Sequence, residues 1–528
     1  MYDAITQFFR WLAPIVWGFP AWTILLGIGL ILSIRLGFLQ VSKFVHYWDR
    51  TLIDLLRKPE NKKNKSSGEG DISPWQAINT AFCATMGVGT LAGTATAIGS
   101  GGPGAVFWMW IVAVFGITTK FSEVSLAVHF RGWNKKGEVL SGPFAYMERG
   151  VGSIAGKSFG KFLGVFFAVA GSVAAFGIGN MVQSNSAATA VGHQVSRILN
   201  TTRDIEAYGA LTATSPEIIQ IRLVVGIIAA ILIGLVIIGG LKRIAVVVDK
   251  VIPSLAMTAI VASVIIILSR LTGTEDTPGI IGAFGLIFRG AFSSEALIGG
   301  VAGVAVMTAV RFGLMRGVFS NEAGLGSGPI AYAAARTDHP VKQGLWASFE
   351  VFLDTIIMCT LIALVILMTV PLDAIFPGWP ATPAVLDTYG AVVSPATPLL
   401  NGAPLVITAF ANSLFGATFG GWLMTVLIAC FGFTTVIGWA FYGEKCFEYL
   451  FGLKPIMIYR VLMLPACVVG AIGGIDLIWA IADTLNAFMV LPNIISLLIL
   501  SGVVKKLKDD YFKDPDNITY SFEKVQNM

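Results

Sequence analysis

Inside an apolar run, Thr85-Met86-Gly87-Val88-Gly89-Thr90 places two glycines and two hydroxyls at the middle of what hydropathy marks as a membrane helix. Glycine in a helix interior costs about 1 kcal/mol relative to alanine, so helical order is expected to weaken there. Bare backbone at membrane depth survives only under protein or beside a cavity. In such a place it offers carbonyls to a cation and amides to a carboxylate. The same glycines would also let helices pack closely, and that reading stands beside the binding one. A second cluster, Gly299-Gly300-Val301-Ala302-Gly303, interrupts a later apolar run. Two interrupted helices at matching places in two halves point to a site at the membrane midplane. Thr85, Gly87, Gly89, Thr90, Gly300 and Gly303 are therefore candidate ligand contacts.

Other polar groups stand in apolar runs. Asn180, Gln183, Ser184, Asn185 and Ser186 form a cluster too costly to face lipid; Gln183 is the choice for ligand contact, with helix-to-helix hydrogen bonding as the alternative. Trp422 and Phe431 are candidates to wall a side-chain pocket. Lys120 and Glu123 are spaced i,i+3 and can pair on one helix face. Glu350 and Asp354 are spaced i,i+4 with no obvious basic partner, which suggests an ion relay, neutralisation or a hydrated vestibule. Asn321 and Glu322, near Arg311 and Arg316, are the candidate inner gate.

The elements that must position these groups are membrane helices. Of 528 residues, 55% are hydrophobic and 13% charged, and the mean hydropathy is +0.76, a composition that belongs in a bilayer. Eleven candidate spans fall near 14–35, 74–99, 104–130, 158–197, 221–241, 245–270, 281–320, 341–370, 417–444, 455–474 and 476–504. The fourth and seventh are too long for one ordinary crossing and are expected to be tilted, broken or extended. Lysines and arginines follow every odd-numbered span, whereas residues 343–444 hold none. The positive-inside rule then puts the N-terminus outside and the C-terminus in the cytoplasm.

Five spans in each half give the halves opposite topology. The expected organisation is an extra N-terminal helix (1–40), a basic cytoplasmic loop (41–73), two five-helix repeats (74–271 and 279–505) and a cytoplasmic tail (506–528). The net charge of +5 sits in loops, which suits membrane orientation rather than a nucleic-acid surface. The five cysteines show no metal-ligand spacing.

Two blocks carry a family resemblance. Gly101-Gly102-Pro103-Gly104-Ala105-Val106-Phe107-Trp108-Met109-Trp110-Ile111-Val112-Ala113-Val114-Phe115-Gly116 resembles, at every fixed position, the characteristic motif of the alanine or glycine:cation symporter family. Phe319-Ser320-Asn321-Glu322-Ala323-Gly324-Leu325-Gly326-Ser327-Gly328-Pro329-Ile330 is a second family-like block, and the resemblance runs from about Trp75 to Lys505. It implies an all-α, LeuT-type fold: one extra helix, then a 5+5 inverted repeat with two broken helices. It also implies a sodium ion held by the carbonyls of Cys83 and Met86 and the adjacent hydroxyls of Thr434 and Thr435. Those hydroxyls bonding back to their own helix is the competing reading. Where the family usually reads Gly-Thr-Gly-Asn, this chain has Gly87-Val88-Gly89-Thr90, a hydroxyl in place of a carboxamide.

The expected function is a plasma-membrane secondary transporter that couples sodium entry to uptake of a small neutral amino acid, alanine or glycine, by alternating access. Proton coupling, or a larger neutral substrate such as glutamine, is the nearest alternative, and a passive channel the rival of another class. An enzyme is disfavoured because His46, His129, His193 and His339 lack partners at usable spacing. No phosphate-loop motif supports a primary pump, and no organic cofactor is expected.

Overall fold

A computed structural model describes residues 18–53, 69–202, 215–292, 302–375, 400–473 and 475–515 as continuous stretches, with shorter pieces between them. The principal helices are α1 (Phe19–Arg35), α2 (Pro74–Thr85), α3 (Val88–Gly101), α4 (Ala105–His129), α5 (Lys157–Phe176) and α6 (Val182–Thr202). They continue with α7 (Pro216–Ile237), α8 (Gly240–Ser269), α9 (Ile280–Phe292), α10 (Ala302–Asn321), the short α11 (Pro329–Ala333) and α12 (Pro340–Val351). The last are α13 (Thr360–Thr369), α14 (Gly402–Ala411), α15 (Gly421–Phe451), α16 (Ile456–Ile472) and α17 (Ile475–Lys513). A two-stranded hairpin, β1 (Gly132–Trp133) with β2 (Val139–Leu140), follows α4.

Among the described residues, eight helices are long and apolar enough to cross a membrane, counting α2 with α3, α5 with α6 and α12 with α13 as single units. Shorter apolar helices occupy Thr23–Arg35, Ile280–Phe292, Gly402–Ala411 and Ile456–Ile472. Burial separates an inner from an outer set. The most apolar stretch of Pro74–Gly101 is 94% buried, that of Pro216–Ile237 only 28%. The outer helices present Ile228, Leu232, Met257, Leu268, Ile458 and Leu462 outward, as lipid-facing surfaces should. The inner set encloses the polar groups singled out above.

Local chemistry explains the inner helix ends. Ser73 starts α2 with a capping box, its hydroxyl accepting from Gln76 N–H while the Gln76 side chain accepts from Ser73 N–H, and Pro74 occupies the first turn. The helix stops at Met86, whose ψ is 70°, and Gly87 is extended before α3 begins. The expected interruption at 85–90 is therefore present. Gly102, at φ 77°, ends α3 in a conformation that favours glycine.

The long fourth span is one unit of 44 residues, Lys157–Asn200, with a π-helical turn at Gly177–Met181 where glycines weaken the ordinary ladder. For the second break, Gly299, Gly300 and Val301 lie outside the described residues, and Gly303 stands in the first turn of α10. The interruption that the described residues do show comes after Asn321. There Glu322 (φ 57°), Gly324 (φ 90°) and Gly326 (φ 79°) turn the chain out of helix before Pro329 opens α11.

Candidate functional site

The first break meets α5–α6 and α15 at Gly87. A side-chain carbon built there would lie 2.2 Å from Thr435 Oγ1 and 3.3 Å from Gln183 Oε1, so glycine is what allows these three elements to converge. Val88 N–H, exposed by the break, donates to Gln183 Oε1 at 3.2 Å, and Gln183 Nε2 donates to the Ile178 carbonyl at 3.0 Å. Gln183 is 2% exposed, held by the unwound backbone rather than by another polar helix face. Gly89 packs on Phe319 of α10, which brings the two interrupted regions together.

Of the sodium ligands expected from the resemblance, Cys83 packs on Gly438 of α15, one turn from Thr434 and Thr435. Both threonine hydroxyls donate to the Phe431 carbonyl, at 2.9 and 2.8 Å. They thus bond back to their own helix, the competing reading. Phe431 is buried beside them. Trp422 is half-buried near the start of α15. At 1.5 Å per residue it lies roughly 20 Å along the helix from Thr435, so the geometry does not bring Trp422 to the break as a pocket wall.

The interruption after Asn321 is surrounded by charged side chains, where the backbone of the first break meets neutral ones. Asp354, fully buried, accepts from Thr90 Oγ1 at 2.6 Å, Ser320 Oγ at 2.6 Å and Thr355 Oγ1 at 2.9 Å. Thr90 Oγ1 also lies 3.2 Å from the Thr85 carbonyl, so hydroxyl, carbonyl and carboxylate oxygens from α2, α3, α10 and the α12–α13 unit converge. Hard oxygens of this kind suit an alkali or alkaline-earth cation. Glu350 accepts from Thr85 Oγ1 at 2.9 Å and Tyr332 OH at 2.8 Å.

Helix packing overrides two expectations from local spacing. Lys120 does not turn to Glu123: its ammonium donates to the Asn321 carbonyl at 2.8 Å and lies 3.6 Å from Glu350 Oε1. Glu350 therefore has a basic partner, supplied by α4, and the vestibule reading fails because Lys120 and Glu350 are both 0% exposed. Glu123 instead accepts from Asn493 Nδ2 of α17 at 2.5 Å. At the expected gate, Asn321 Nδ2 donates to Thr355 Oγ1 at 3.0 Å, and Glu322 accepts from Ser327 Oγ at 2.6 Å. Nearby, Arg316 makes a two-pronged bond with Asp483 of α17, at 3.0 and 3.3 Å.

Sequence reasoning missed Ser320, Thr355, Tyr332 and Asn493. Ser320 stands inside the quoted family-like block, which was a usable signal; Asn493 had none. Among the described residues no three His, Cys, Asp or Glu side chains gather as a metal cluster. His339 caps α12 by accepting from Val341 N–H at 3.2 Å, and burial pushes its imidazole down to about 4. It serves there as a neutral cap.

Comparison with known proteins gives a consistent picture. The profile of the "Sodium:alanine symporter family" matches residues 2–523. The "Sodium/alanine symporter AgcS" of Methanococcus maripaludis is 40% identical over 489 residues, 93% of each chain. The "Probable sodium/glutamine symporter GlnT" of Bacillus subtilis is 34% identical, over 94% of this chain and 88% of its own. The "Amino-acid carrier protein AlsT" of the same organism is 32% identical, over 93% and 89%.

Proposed function

The chain belongs to the sodium:alanine symporter family, and from that premise we propose that it carries a small neutral amino acid, alanine or glycine, inward with sodium by alternating access. At the coarser level it is a multi-pass, sodium-coupled amino-acid transporter rather than an enzyme. One observation carries the finer reading. Gly87 has no room for even a methyl group against Thr435 and Gln183, so the break presents backbone amides and carbonyls rather than a side chain. Unwound backbone and half-helix N-termini favour a carboxylate and a cation side by side.

In this reading Thr85, Gly87, Gly89, Thr90 and Gln183 face the amino acid, with Phe431 beside them. Cys83, Met86, Thr434 and Thr435 hold sodium, which needs the threonine hydroxyls to turn from the Phe431 carbonyl. Asn321 and Glu322 belong to the inner gate. The helices form an extra N-terminal element (1–40) and two inverted five-helix repeats in the plasma membrane, N-terminus outside. Alanine is favoured by the AgcS likeness and by the crowding at Gly87; the GlnT likeness makes glutamine the substrate to test against it.

The test is uptake of labelled alanine by proteoliposomes under a sodium or a proton gradient, with glycine and glutamine as competitors. Concentrative uptake that needs sodium and weakens in Thr434→Ala supports the reading. Uptake driven only by protons, or only downhill, overturns the sodium assignment; stronger competition by glutamine overturns the substrate.

A further inference from the structure

A cleft of about 360 Å³ opens away from the helix breaks, where the ends of α7, α8, α15 and α16 meet the β1–β2 turn. Its charged lining divides in two. The acidic groups are committed: Glu444 takes both prongs of Arg460, at 2.6 and 2.7 Å, and Glu448 takes Lys445 at 2.8 Å and Asn134 at 2.7 Å. Asp71 accepts from Val139 N–H at 2.8 Å and Glu138 from Asn134 Nδ2 at 3.2 Å. Arg460 is further fixed by donating to the Ile238 carbonyl at 3.0 Å. The basic groups on the rim are not committed. Lys136, Lys242 and Lys454 are exposed and, among the described residues, make no ion pair.

The cleft is also apolar on one side. Leu241, Leu453, Ile456 and Met457 line it. Met457 is 49% exposed and continues outward into Ile458 and Val461 on α16, with Ile238 just past the end of α7, all exposed apolar side chains. Three unpaired ammonium groups at a helix-end level, joined to an exposed apolar wall, match a ligand with an anionic head and hydrocarbon tails. Basic pockets between membrane helices are the usual receptors for such head groups.

We propose that this cleft is a binding site for an anionic phospholipid. Its phosphate sits among Lys136, Lys242 and Lys454, and its acyl chains run along Met457 and Val461. Neither a zwitterionic lipid nor a free anion satisfies both halves: the first brings its own cation to the lysines, the second leaves the apolar wall uncovered. The site stands apart from the transport reading and does not depend on it.

The experiment is native mass spectrometry of the purified full-length protein with dioleoylphosphatidylglycerol or dioleoylphosphatidylcholine, with glycerol phosphate as competitor. Each lysine near an anionic lipid surface is worth about fivefold in binding, so replacing all three lysines by alanine should weaken retention of phosphatidylglycerol roughly 100-fold. Met457→Glu, which keeps the lysines and charges the wall, should also lose it. All four positions are exposed, and unchanged melting in detergent confirms that the variants fold. Equal retention of the two lipids, or a triple variant that binds as before, overturns the proposal. Displacement by glycerol phosphate alone overturns the lipid assignment in favour of a soluble anion.

Discussion

The two interrupted helices solve the same problem by opposite means. Between α2 and α3 the exposed backbone is left neutral: one amide goes to Gln183, and glycine clears the space beside Thr435. Between α10 and α11 the surroundings are ionic, with Lys120, Glu350, Asp354 and Glu322 all buried. The backbone of the neutral break is held by one amide bond and by packing, and its ties to the ionic side run through the Thr85 and Thr90 hydroxyls, which donate to Glu350 and Asp354. The ionic one is tied to α4, α12 and α13 by charges that are costly to separate, as suits a fixed frame or a gate. The difference yields an ordered set of tests: charge removal near the second break should cost stability most, and added volume at the first should cost transport most.

The largest effect is expected for Lys120→Met. It leaves Glu350 without its ammonium partner and strips the Asn321 carbonyl of its donor. Breaking a buried ion pair from one side costs about 3–5 kcal/mol, so the melting temperature in detergent should fall well below that of the parent. A variant that melts with the parent would show that the ionic frame holds nothing together, and the contrast between the breaks would collapse.

Thr90→Val comes next. It keeps the shape but removes the hydroxyl that donates to Asp354 at 2.6 Å. A hydrogen bond to a charged group is worth about 1.5–3 kcal/mol, and Thr90→Ser should restore nearly all of it. Because Thr90 lies on α3 while Asp354 lies beyond α12, this bond joins the neutral break to the ionic one. Loss of sodium-dependent uptake in Thr90→Val at unchanged melting would move a cation to Asp354, and with it the functional centre to the ionic side.

What the sequence made legible follows the same contrast. The first break could be read because its cause is local: Gly87 and Gly89 weaken a helix whatever surrounds it. The expected second break, at Gly299–Gly303, falls largely outside the described residues, whereas the turn that the described residues show is made by Glu322, Gly324 and Gly326. A glutamate at positive φ gives no sign of itself in the sequence. Lys120 illustrates the other limit. Spacing along one helix nominates Glu123, yet the ammonium crosses to Asn321 and Glu350, a choice made by helix packing that no i,i+3 rule contains. Trp422 fails by distance: it belongs to the same helix as Thr435 but not to the same level.

Gly87→Ala tests the neutral side. The added methyl would stand 2.2 Å from Thr435 Oγ1, and such overpacking costs about 1–3 kcal/mol. Its main consequence should appear in transport, because the break must move either its backbone or Thr435. Uptake is expected to fall to background while most of the protein still folds. Normal uptake would mean that the close approach at Gly87 is packing only.

The smallest single effect belongs to Thr435→Ala, and it gains its meaning from pairing with Gly87. Alone, the change removes a hydroxyl that bonds back to the Phe431 carbonyl at 2.8 Å, a bond of the class worth about 0.5–1.5 kcal/mol. Melting should therefore move little, while the sodium concentration for half-maximal uptake rises roughly tenfold, the equivalent of about 1.4 kcal/mol. The double variant Gly87→Ala with Thr435→Ala removes the oxygen that the new methyl would strike. Residues in contact couple by about 0.5–3 kcal/mol, so the double variant should melt above Gly87→Ala and regain part of its uptake, though not the sodium affinity. Strict additivity would separate Gly87 from Thr435 in the working protein, and the first break would then owe its function to something other than their contact.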